Sequence, residues 1–248
     1  MVQLDRTTAP AAAPLSNIHL PAYKHMQLAN GVPVYFLPFG SVEVVELQVI
    51  FKAGKGYEPA TGIAAYTGRI MQEGTAKYSS LEIAQGLDGH GAWLNQDIGE
   101  ESLGFKLATT TEKLKEVLPF LIDVLQQPTF PEDEFTRIKV QALDRLKVSE
   151  QKTRNKAQRT FGHLMFGEDH PYGRNLGSKE LETVALDVLK AYYHQYLVPG
   201  NMSIAVVGRF DEGEIMEMLE AYFGQQDAPS FDPGHSHAMN PILTPKAG

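Results

Sequence analysis

Residues 45–51 (VELQVIF) set apolar against polar side chains with a period close to two, a spacing that a half-buried β-strand satisfies and a helix does not. A second β-rich run, 32–38 (VPVYFLP), comes just before it, and the two are expected to lie side by side. Gly54, Lys55 and Gly56 then break the chain. A helix is expected over 61–73, with Gly74 suited to a left-handed cap, and another over 80–88. Strand signals return at 91–97 and 102–109, joined through Ile98, Gly99, Glu100 and Glu101 as a hairpin.

The rest of the chain is dominated by helical spacing. Leu114, Val117, Leu118, Leu121, Ile122 and Leu125 fall on one face of a helix over 111–126 that Pro119 can kink and Pro128 closes. Pro131 opens the next helix, whose pattern runs to Val148 and extends towards Gln158. Helices are expected at 159–166 and 187–196 around a glycine-punctuated loop at 171–177. A short buried strand at 203–208 leads into a last helix over 211–223, entered through Asp211 as acidic N-cap. Strands and helices therefore come in runs and do not strictly alternate. That order favours an α+β fold, a two-layer sandwich of a largely antiparallel sheet with helices packed on one face. Residues 1–20 read as a flexible leader, 21–224 as the folded domain, and 225–248, rich in Pro, Gly, Ser and His, as a linker or tail leading to a second homologous domain.

Composition narrows the function. A formal charge of −8 with no basic block argues against nucleic acid and favours cationic ligands without localising them. With no cysteine, disulfides, thiolate nucleophiles and Cys-ligated zinc are excluded. No run of about 18 apolar residues offers a transmembrane segment. The chain is expected to be soluble, cytoplasmic if it starts natively and periplasmic if a signal peptide has been removed. His90, His163, His170 and His194 form no ligand pair with a nearby acid, and His235 and His237 sit in the polar tail. There is no G-x-S-x-G elbow and no phosphate loop.

Five segments in order, 30–35 (NGVPVY), 54–64 (GKGYEPATGIA), 86–95 (GLDGHGAWLN), 169–178 (DHPYGRNLGS) and 196–208 (YLVPGNMSIAVVG), resemble landmarks of the pitrilysin/insulinase-type zinc peptidases. The resemblance covers about Asn30 to Gly224. It implies an inverted zinc motif, His-x-x-Glu-His, in which two histidines one helical turn apart ligate zinc and the glutamate activates water. Alignment on Gly62 and on Gly74 and Thr75 places Ala65 at the first histidine, Gly68 at the glutamate and Arg69 at the second histidine. Alanine and glycine carry no side-chain donor, and a guanidinium stays protonated. The third ligand falls near Asp144 or Arg145, of which only the aspartate can hold a metal. Zinc, expected for the family, is not expected for this chain.

Arg69 reads either as a residue filling the vacated helix face and paired with a carboxylate such as Asp144, or as one pointing into the old cleft to bind peptide. In the family the strand corresponding to Ala92, Trp93, Leu94, Asn95 and Gln96 is an edge that pairs with extended substrate, so the resemblance implies β-augmentation here. The same residues also read as ordinary alternating sheet positions. The family's clamshell of two halves, one sometimes lacking zinc, implies a non-catalytic subunit. Such a subunit binds peptide and forms half of a peptidase chamber with a zinc-bearing paralogous subunit or a second copy. The alternatives are a structural scaffold of the respiratory-complex core-protein type and, against the lost motif, an active zinc metalloendopeptidase.

Overall fold

The computed structural model describes residues 21–168 and 170–234. The leader 1–20, Asp169 of the fourth family-like segment, and the tail histidines His235 and His237 lie outside those residues. Six strands form one sheet: β1 Lys24–Gln27, β2 Pro33–Pro38, β3 Val44–Phe51, β4 Trp93–Ile98, β5 Leu103–Thr110 and β6 Met202–Gly208. Their order is β1-β2-β6-β3-β5-β4, with every pair antiparallel except β2 and β6. The α+β class and the largely antiparallel sheet are thus as the sequence implies.

The period-two pattern does what it promises. Val45, Leu47, Val49 and Phe51 are buried while Glu46, Gln48 and Ile50 are half-buried on the other face. Register carries the buried face across the sheet, since Leu47 stands between Val206 and Leu107. The helices are α1 Ile63–Met71, α2 Ser80–Gly89, α3 Leu114–Gln126, α4 Glu132–Gln151, α5 Thr153–Phe166, α6 Ser178–Thr183, α7 Leu186–Tyr196 and α8 Glu212–Leu219. Their apolar stripes, among them Ile63, Ile70, Leu118, Leu121, Leu189 and Leu219, close one core against that face.

Three local expectations are corrected, and two elements went unread. β2 and β3 are not neighbours, because β6 is inserted between them. Gly74 is not a left-handed cap: α1 ends through Gln72 in right-handed geometry, and Gly74 instead bridges to Ser79. The helix opened by Pro131 stops at Gln151, where Lys152 turns extended and starts α5. Finally β1, exposed along its length with no alternation, and the six-residue α6 carry too little periodicity to have been read. Pro119 sits inside an unbroken α3. Beyond α8, Ala228 and Phe231 pack against the core.

Candidate functional site

α1 carries Ala65, Gly68 and Arg69, the positions aligned above with the zinc motif, and its position is set from its first turn. Gly62, at φ 96°, takes the left-handed conformation that a Cβ disfavours. The free N–H groups of Gly62 and Ala64 both donate to the Glu58 carboxylate at 3.0 Å, so a side chain from outside the helix supplies the cap that Gly62 lacks. Glu58 is buried, and desolvation holds its carboxyl above the usual range against the pull of those two hydrogen bonds. Burial likewise pushes the neighbouring Tyr192 phenol well up.

Ile63, Ala64, Thr67, Ile70 and Met71 face the core. The opposite stripe, Ala65, Tyr66 and Arg69, faces a cleft of about 560 Å³ whose other walls are Gln96 of β4 and Ile138, Gln141, Ala142, Arg145, Leu146 and Ser149 of α4. The positions aligned with the two histidines therefore share one helix face and open on the cleft, as the i, i+4 spacing requires.

Gly68 lies beneath the Gln96 side chain: a Cβ added there would collide with Gln96 Oε1 and come within 3.0 Å of Leu103 Cδ1. Gln96 Nε2 donates to the Ala65 carbonyl at 3.2 Å, and its Oε1 is buried without a partner. The space that a glutamate at 68 would use is filled by a side chain from β4.

Arg69 binds Glu73 Oε1 at 2.8 Å, one turn along its own helix, and not Asp144. Asp144 is an exposed residue whose partner is Lys147 at 3.8 Å. It is absent from the cleft wall, whereas Arg145 belongs to it. Burial holds the Tyr66 phenol above its usual range and Arg145 opposes that shift. The donors at these positions do not suit a metal, since they are an amide, a phenol and two guanidinium groups. Among the described residues no three His, Asp or Glu side chains gather.

Among the described residues β4 is the last strand of the sheet and pairs only with β5. Ala92 is buried just ahead of it. Leu94 and Gln96 turn to the helix side, opposite Leu107 and Phe105, while Trp93 and Asn95 face outward. A groove of about 280 Å³ runs beside the strand, with Arg69, Asp88, Trp93 and Asn95 among its walls. Sequence reading missed Gln96 as the plug over Gly68, because only contact between distant elements reveals it. Glu58 was also missed, although a carboxylate four residues ahead of a helix-opening glycine is a usable signal.

Comparison with known proteins bears on the family and the fold. The family model described as insulinase (peptidase family M16) matches residues 40–177, and that of the peptidase M16 inactive domain matches residues 183–247. Relatives include the Uncharacterized zinc protease YmxG of Bacillus subtilis (25% identical, covering 83% of this chain and 51% of that protein). The Non-peptidase homolog YmxG of Helicobacter pylori is 25% identical over 80% of this chain and 47% of its own length. The Mitochondrial-processing peptidase subunit beta of Rattus norvegicus is 23% identical over 92% and 48%. The crystal structure of a peptidase M16 inactive domain from Pseudomonas fluorescens superposes with a TM-score of 0.77 at 25% identity, covering 85% of this chain and 52% of that one. The chain spans about half the length of the curated relatives it matches. With more than half of its residues matched by the insulinase model, the chain belongs to peptidase family M16, the insulinase family.

Proposed function

We propose that this chain is a non-catalytic M16 homologue that binds extended peptide along β4 and forms one half of a peptidase chamber with a zinc-bearing M16 partner or a second copy. The observation that carries this reading is the chemistry at Ala65, Gly68 and Arg69. The positions of both histidines and of the base hold no group able to ligate zinc or activate water, and Gln96 fills the space over the third. The residues present do not fit the family's metal, so no hydrolytic step is derived through it. One relative bears the name Non-peptidase homolog, whereas several others are named zinc proteases. The free side of β4 supports peptide binding, since the outer edge of a terminal strand offers N–H and C=O groups to an added strand.

The test is to incubate the chain with a fluorescent extended decapeptide and with the same peptide N-methylated at alternate residues. The unmodified peptide is expected to bind and to be recovered intact, and the N-methylated form to bind at least about tenfold more weakly because its strand hydrogen bonds are lost. Cleavage of the bound peptide, or equal binding of both forms, contradicts the reading.

A further inference from the structure

The cleft beneath α1 has a charge opposite to that of the chain as a whole. The formal charge of the protein is −8, yet the cleft wall contains Arg69 and Arg145 and no Asp or Glu. Among the described residues the uncompensated cation of the cleft is Arg145, because Arg69 belongs to a network of no net charge with Arg137, Glu134 and, just outside that wall, Glu73. The two Glu73 oxygens are divided between Arg69 and Arg137 at 2.8 Å each, while Arg137 also takes Glu134. Arg145 has no carboxylate partner among the described residues. Its charge acts on the Tyr66 phenol in the wall of the same cleft.

We infer that this cleft binds the carboxylate of an extended peptide, with Arg145 as its anchor and the Glu73-paired Arg69 as a second guanidinium donor beside it. A guanidinium presents parallel N–H donors that match the two oxygens of a carboxylate. The Tyr66 hydroxyl and the Gln141 amide, in the same wall, add neutral donors. Arg69 also belongs to the groove beside β4, so a strand lying on that free edge leads towards the two arginines. The inference rests on the peptide-binding reading above and adds the class of ligand: a free C-terminus or an acidic side chain.

Three pools of random decapeptides separate these possibilities, each equilibrated with the immobilised full chain and read by mass spectrometry. One has free C-termini and no Asp or Glu, one is amidated and contains Asp and Glu, and one is amidated without them. The first or the second is expected to be retained at least about tenfold better than the third, and the better of the two identifies the source of the carboxylate. Arg145→Gln is expected to erase the difference, and Arg145→Lys to restore part of it. Arg145 makes no ion pair among the described residues, so neither substitution removes a folding contact of that kind there. Retention of all three pools alike, with no effect of Arg145→Gln, overturns the carboxylate site and leaves strand addition at β4 standing. Retention of none overturns both. Cleavage of the pools overturns the non-catalytic reading alone.

Discussion

Glu58 holds the start of α1 through two hydrogen bonds, yet burial makes its charged form costly, and the second effect is the larger. Its carboxyl therefore titrates above the ordinary value of 4.5 in the folded state. Between that value and the raised one the folded chain binds more protons than the unfolded chain, so this group's contribution to stability declines as pH rises through the window. It is most favourable below pH 4.5 and levels off above the folded value. Urea midpoints measured from pH 4 to pH 7 are expected to fall with rising pH in the wild type relative to Glu58→Gln. Parallel curves for the two proteins would show that Glu58 is not the group responsible. Loss of one acceptor in the variant lowers its curve by about 1 kcal/mol without changing that slope.

At the scale of elements, the contact between α1 and β4 decides what the old motif can hold. Gly68 permits Gln96 to lie against the helix and reach the Ala65 carbonyl. A methyl group at 68 must displace Gln96 and press on Leu103, so the two positions are energetically coupled. In a cycle of Gly68→Ala, Gln96→Ala and the double variant, the glycine substitution is expected to be about 0.5–3 kcal/mol less damaging once Gln96 is truncated. Additive effects in denaturant unfolding would remove the plug. None of this is legible in the sequence, which marks β4 and α1 but not which side chains meet between them. Alternation disclosed β3 and the β4–β5 hairpin, and helical spacing disclosed α3 and α7, because each pattern is local. The insertion of β6 between β2 and β3 is a pairing across more than 150 residues, and nothing near Val34 or Val45 announces it. Glu73 as the partner of Arg69 likewise required the fold, since the sequence offered Asp144 as readily.

The described residues form one sheet with helices packed on it, and their exposed surfaces are uneven. α4 buries only Ile138 and α5 buries nothing, although Phe161, Leu164 and Met165 are apolar. Among the described residues no helix is long and apolar enough to cross a membrane. The most direct measurement is zinc content by elemental analysis after exposure of the purified, tag-free chain to stoichiometric Zn²⁺ and gel filtration, with a quenched-peptide assay on the same sample. No bound zinc and no chelator-sensitive cleavage are expected, because Ala65, Gly68 and Arg69 offer no ligand. One zinc per chain with cleavage abolished by a chelator would contradict the placement of those three residues at the motif and the non-catalytic reading built on it.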